Sequence, residues 1–247
     1  MSKKRPGVEA AVRLSKIADD TTVWEQVEAQ ADDTVISQIP GLSKWNAICT
    51  KLQNQFASSS PSKTKDFISK QELMDIVEWK FSVGKKRGAL YKLLRSNSDE
   101  EVKSCSQKAI EIAGSIPSTK MLFSEIEQAI ETSINHLTQL KGVGPATASA
   151  VLVLVRPDIF CYMYDEAIDC FLPKRTYTLP IYMEVCKQCH ALSKTLGGDG
   201  EWSPSRVGRV LWVAARVLAY GGDDQTKKAS SKKKAETSER PKKRRKS

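Results

Sequence analysis

The residues best suited to chemistry lie in Leu137-Thr-Gln-Leu-Lys-Gly-Val-Gly-Pro-Ala-Thr-Ala-Ser-Ala-Val151. The run reads as a helix, a tight Gly142-Val143-Gly144 turn and a second helix that starts at Pro145. Glycine permits backbone angles that a β-carbon forbids and lets a ligand come close. Proline suits the first helical position, where a missing N–H costs nothing. Such a turn aims unpaired backbone N–H groups and the positive end of a helix dipole at whatever approaches, and the guest they favour is a phosphate. The same residues also suit an ordinary helix–turn–helix corner, since short glycine motifs recur without a ligand.

The stretch Leu140-Lys-Gly-Val-Gly-Pro-Ala-Thr-Ala148 resembles the helix-hairpin-helix of the base-excision DNA glycosylase superfamily, the group of endonuclease III and the 3-methyladenine glycosylases. The resemblance implies a hairpin that grips the DNA backbone through main-chain amides, with Lys141, Gly142, Val143, Gly144, Ala146 and Thr147 at the contact. It also implies a catalytic Asp beyond the hairpin, and Arg156-Pro-Asp-Ile-Phe-Cys-Tyr-Met-Tyr-Asp165 places Asp165 there. Residues 137–171 carry the match. Bifunctional members have a Schiff-base Lys two residues after the second glycine. This chain has Ala146, so lyase chemistry by that route is not expected. Relatives often have a basic residue directly after the turn, where this chain has Pro145, which leaves Lys141 as the nearest charge.

A monofunctional hydrolase remains open. Breaking a base–sugar bond develops positive charge on the sugar, which a carboxylate stabilises while orienting water. Asp165 can equally cap a helix beginning at Glu166, because Asp is a favoured N-cap. Asp158 and Glu166 are the alternative carboxylates. Tyr162 and Tyr164 flank Asp165 and are expected to line a pocket for a flipped base. A hairpin without chemistry would make a DNA-binding or protein-scaffold member of the same fold.

A second cluster is Trp79-Lys-Phe-Ser-Val-Gly-Lys-Lys-Arg87, in which Lys85, Lys86 and Arg87 follow a glycine. Each basic contact to a phosphate adds a counterion-release contribution. The alternative is a solvated turn between two helices, with Trp79 and Phe81 in the core. Arg95-Ser-Asn97 and Lys174-Arg175 are weaker sites of the same kind. Trp24, Trp45, Trp202 and Trp212 read as packing residues.

Helices must carry these residues. Ile126, Ile130, Ile134 and Leu137 recur at helical spacing. Ser69-Lys-Gln-Glu72 is a capping-box pattern. Helices are expected over 22–30, 41–56, 69–81, 85–95, 99–115, 121–138, 145–155, 165–171, 180–196 and 204–219, with loops at 58–62 and 197–200. Val210, Leu211, Val213, Ala214, Val217 and Leu218 give the last helix a broad apolar face, and Gly221-Gly222 ends it. No repeat and no strand series is apparent. The expected fold is all-α, a multi-helix arrangement of the helix-hairpin-helix glycosylase type, with a flexible basic N-terminus over 1–20, a helical domain over 21–222 and a disordered basic tail over 223–247.

Of 247 residues, 40% are hydrophobic, which supports a folded core. The net charge of +10 is unevenly spread. Lys227–Ser247 holds eleven Lys/Arg against two Glu, and the other 226 residues hold 28 basic and 27 acidic side chains. The tail has too few apolar residues to offset ordering entropy. Its Lys232–Lys234 and Lys242–Lys246 clusters read as a bipartite nuclear import signal, with nucleic-acid tethering as a compatible role. No apolar stretch approaches the length of a membrane span or signal peptide.

The six cysteines, Cys49, Cys105, Cys161, Cys170, Cys186 and Cys189, read as reduced thiols. Cys186-Lys-Gln-Cys189-His190 formally fits a haem attachment, and no second Cys-x-x-Cys pair completes a zinc site. The four-cysteine iron–sulfur loop of some relatives has no counterpart after Cys189. The expected partners are double-stranded DNA and the nuclear import machinery, with a nuclear location, no membrane, no cofactor, no metal and a monomeric state.

Overall fold

The computed structural model describes residues 6–18, 20–57, 65–117, 122–197 and 201–217. The basic start Met1–Arg5, the loop at 58–62, most of the loop at 197–200, the expected helix end at 218–219, Gly221-Gly222 and the 223–247 tail with its import signal lie outside the described residues.

The described residues are helical, with no strand among them. In chain order the helices are α1 (Pro6–Ser15), α2 (Thr21–Ala29), α3 (Leu42–Phe56), α4 (Lys70–Val83), α5 (Ala89–Arg95), α6 (Asp99–Ser115), α7 (Phe123–Thr138), α8 (Pro145–Val155), α9 (Asp165–Phe171) and α10 (Leu179–Gly197). A last helix, α11, covers 204–217. Capping boxes open α4 and α6. The Ser69 hydroxyl accepts from the Glu72 N–H at 3.2 Å while Glu72 accepts from the Ser69 N–H at 2.7 Å, and Ser98 and Glu101 repeat the pattern. Each such cap is worth about 1 kcal/mol.

The hub is α8. Every residue from Ala146 to Leu154 is buried, as a helix apolar on all sides requires. It packs against α3, α4, α6, α7 and α10. Ala148 and Ala150 are fully enclosed, and their small side chains let neighbours approach its axis. The N-terminus of this buried rod reaches the surface at Gly144, so the hairpin turn is the point where the core's central helix meets solvent.

Two segments differ from the sequence expectation. Residues 6–15, expected to be flexible, form α1, because Val8, Ala11 and Leu14 recur at helical spacing and are buried. The helix packs on α9, and a β-carbon on Gly7 would lie 2.2 Å from the Ala215 carbonyl oxygen of α11. The helix expected over 85–95 begins only at Ala89. Gly84, at φ −130° and ψ −150°, ends α4 and leaves Lys85–Gly88 as an exposed connection.

Among the described residues no helix is long and apolar enough to cross a membrane.

Candidate nucleic-acid interface

Gly142 adopts φ +81°, a left-handed angle that favours glycine. A β-carbon there would also stand 3.0 Å from Leu93 Cβ and 3.2 Å from the Leu94 backbone nitrogen, because the turn lies against α5. Asn97 fixes it from the same side. This side chain is 2% exposed, accepts from the Lys141 N–H at 2.8 Å and donates to the Lys141 carbonyl at 3.0 Å. Asn97 therefore holds the hairpin in place instead of offering itself to a phosphate.

The hairpin's amides divide into two sets. The Lys141 N–H is held by Asn97, that of Val143 by the Leu140 carbonyl at 3.1 Å, and that of Thr147 by the Gly144 carbonyl at 2.8 Å. Among the described residues, the N–H groups of Gly142, Gly144 and Ala146 have no such partner. Gly144 is exposed and a β-carbon on it would meet nothing within 4 Å. Val143 faces inward at 5% exposure, and the Lys141 side chain is exposed.

Gly142, Gly144, Ala146 and Thr147 form one wall of a cavity of about 240 Å³. The other walls are Lys80, Gly84, Lys85 and Arg87 from the end of α4 and its loop, Leu90 from α5, and Tyr162, Met163, Asp165 and Tyr177. Residues separated by up to 97 positions thus meet around the hairpin. The basic loop contributes Lys85 and Arg87. Lys86 lies to one side, exposed, with its ammonium 5.8 Å from the Tyr91 ring centre. Trp79 and Phe81 are in the core and Lys85, Lys86 and Arg87 are exposed, as a solvated turn between two helices requires.

Asp165 opens α9 at the cavity, with its side chain 20% exposed. The Tyr164 position that precedes it is the N-cap, so Asp165 itself is not the cap residue. Arg175 donates to its Oδ2 at 2.6 Å and Tyr177 to its Oδ1 at 2.8 Å. Arg175 also grips Asp169, and this hydrogen bond leads in pushing its guanidinium upward, so it stays charged. Lys174-Arg175, read as a weak phosphate site, therefore supplies the carboxylate's clamp. The other carboxylates are committed elsewhere. Asp158 sits in the fork of Arg156 at 2.7 Å, and Glu166 pairs with Arg216 at 2.9 Å. Burial pushes the Glu166 carboxyl upward against Arg216's opposing pull.

Lys80, inside the Trp79–Arg87 run, is a wall residue that the sequence reading did not single out. Burial and the Arg87 charge push its ammonium down to about 8, while Asp165 opposes the shift.

The two tyrosines part company. Tyr162 reaches the Asp165 cavity, whereas Tyr164 lines only a neighbouring space of about 360 Å³ with Trp79, Trp212 and Arg209, which Tyr162 also borders. Tyr164 stacks on Trp212 at 5.7 Å. Trp24 and Trp202 pack edge to face.

No disulfide joins the six cysteines, and Cys49, Cys161, Cys186 and Cys189 are buried. His190 Nε2 lies 2.7 Å from the Ile159 carbonyl. Among the described residues no group of three or more His, Cys, Asp or Glu is placed to hold a metal ion. Comparisons of the chain with protein-family models, curated proteins and solved structures find no match.

Proposed function

We propose that this chain binds duplex DNA through the Gly142–Ala146 turn and acts on one nucleotide turned out of the stack into the Asp165 cavity, as a monofunctional glycosylase-like hydrolase. The observation that carries the reading is the shared cavity, which has free amides on one wall, Lys85 and Arg87 on another and a carboxylate at its rim. Amides at a helix N-terminus and exposed bases suit a pair of phosphate oxygens. Flipping costs a few kcal/mol and least for damaged or mismatched bases, which gives the site selectivity before any contact to the base. A carboxylate offers about four lone-pair positions. Arg175 and Tyr177 use one on each oxygen, which leaves the others for the sugar's developing charge or an attacking water.

A second reading, DNA binding without chemistry, is favoured by that same clamp, because Arg175 offsets part of the negative charge the sugar would feel. Base release separates the two. Asp165→Asn keeps an acceptor for Tyr177 while removing the charge. The hydrolase reading expects base release from a panel of damaged duplexes to fall about 100-fold or more, with duplex affinity changed less than about threefold. Base release that persists in the variant contradicts the assignment. A wild-type chain that binds duplexes and releases no base from any of them leaves the binding reading standing.

A further inference from the structure

We infer that the Asp165 cavity also takes the terminal phosphomonoester of a DNA strand break, held between the Gly142–Ala146 turn and the side chains of Lys80, Lys85 and Arg87. This rests on the reading of the turn as a DNA clamp and adds a second ligand class for the same space.

The three cations stand at different depths. Lys85 and Arg87 are exposed on the loop after α4, and Lys80, on α4 itself, is half-buried. Among the described residues none of them forms an ion pair. Lys80 Nζ lies over the Phe81 ring at 5.1 Å, and the Arg87 guanidinium over the Tyr177 ring at 4.7 Å. Ring faces hold a cation in place through their quadrupole but bring no net charge to neutralise it. Tyr162 adds a polar group to the interior. It is 6% exposed and lines the cavity, and its hydroxyl makes no hydrogen bond among the described residues. Burial, more than any neighbouring charge, pushes that hydroxyl well up, so it keeps its proton and can donate.

The charge of the lining selects among phosphates. Three cations face one carboxylate, Asp165, whose oxygens already accept from Arg175 and Tyr177. Two positive charges are left over. An internal phosphodiester brings a single negative charge. A phosphomonoester brings about −1.5 to −2 near neutral pH, with three acceptor oxygens. The donors suit the larger demand, since the free N–H groups of Gly142, Gly144 and Ala146 face the same space as the cations and the Tyr162 hydroxyl. Burial and then Arg87 disfavour the Lys80 ammonium, and an anion in the cavity opposes both effects.

Depth makes the same choice. A continuous strand lying along the surface meets the turn and the exposed Lys85 and Arg87. Lys80 and Tyr162 are met by a group that projects inward, as the end of a broken strand does. A turned-out nucleotide keeps its phosphates in diester form, so the surplus charge is matched only when a strand end enters.

The test uses the full chain and gapped duplexes of one sequence that carry a 5′-phosphate, a 3′-phosphate or hydroxyls only at the gap. The expected result, by titration at fixed salt, is at least tenfold tighter binding of one phosphate-ended duplex than of its hydroxyl-ended twin. The basic tail meets every duplex alike apart from the added phosphate, and two variants separate its share. Lys80→Met, which keeps most of the apolar stem, should bring the preference below threefold while affinity for the hydroxyl-ended duplex changes less than threefold. Lys85→Met, at an exposed position that the fold does not depend on, should cut the preference at least threefold. Equal affinity for all the duplexes, or a preference undiminished in either variant, overturns the inference. Equal affinities that Gly144→Asp lowers together leave the clamp standing without the strand-end site. A wild-type chain that binds no duplex overturns the clamp and the strand-end site together.

Discussion

A lysine held mostly out of water is a cost to the fold, and Lys80 makes that cost measurable. Below pH 8 both the folded and the unfolded chain carry its proton, so the folded state bears the full penalty of a desolvated ammonium. Between about 8 and the ordinary 10.5 the folded chain releases the proton first. The unfolded state then binds more protons, and stability from this group rises with pH. Lys80→Met keeps most of the apolar stem and removes the charge. It should stabilise the chain at pH 7 by on the order of 1–2 kcal/mol, less than the whole shift implies because the side chain keeps some water. The gain should fade as pH approaches 10.5. Denaturant titrations of both proteins at pH 7 and pH 10 check this, and a variant less stable at pH 7 contradicts it. Local spacing does flag this residue, since Leu73, Ile76, Val77 and Lys80 share one helical face, but the adjacent charges at 85–87 are the louder signal. Arg175 and Tyr177 carry no such mark. They reach Asp165 from 10 and 12 positions away, across a bend that no periodicity reports.

At the scale of elements, the hairpin depends on the junction between α5 and α6. The proposed clamp needs a turn whose amides stay open, yet an open turn lacks the hydrogen bonds that would fix it. Asn97 resolves this by bonding both polar groups of Lys141 while leaving Gly142, Gly144 and Ala146 untouched. Asn97→Ala strands the Lys141 N–H and carbonyl. It should cost about 1–3 kcal/mol and weaken duplex binding more than the stability loss alone explains, because the turn loses its register against α5. Chemical denaturation and duplex titration, both on a chain ending at residue 226, read the two effects, and unchanged values for both would show that the turn holds itself. The helices at 99–115, 145–155 and 165–171 were legible because caps, a Pro at the first position and apolar periodicity agree locally. The 85–88 loop was not, since its bases are good helix formers and only Gly84's backbone decides the break. Nor was α1, where a basic start drew attention from Val8, Ala11 and Leu14.

At the scale of the molecule, the excess positive charge and the proposed phosphate grip lie in different parts of the chain. The chain outside the last 21 residues is close to neutral, and Lys227–Ser247 carries eleven basic side chains. Basic side chains so clustered favour salt-sensitive attachment to polyanions, so duplex binding by the full chain does not by itself speak for the hairpin. The hairpin is distinguished by where it sits. It ends the buried helix α8, so a phosphate held there is referenced to the rigid core, and Asp165 and Lys80 stand across the same cavity.

The most direct measurement is therefore the duplex affinity of a chain ending at residue 226, with and without Gly144→Asp. The position tolerates a side chain, with open space around it and φ −103°, so the substitution adds a negative charge to the amide cluster with little strain. The account predicts that affinity falls tenfold or more, about 1.4 kcal/mol or above, with stability unchanged. Equal affinity in the two proteins would contradict the clamp.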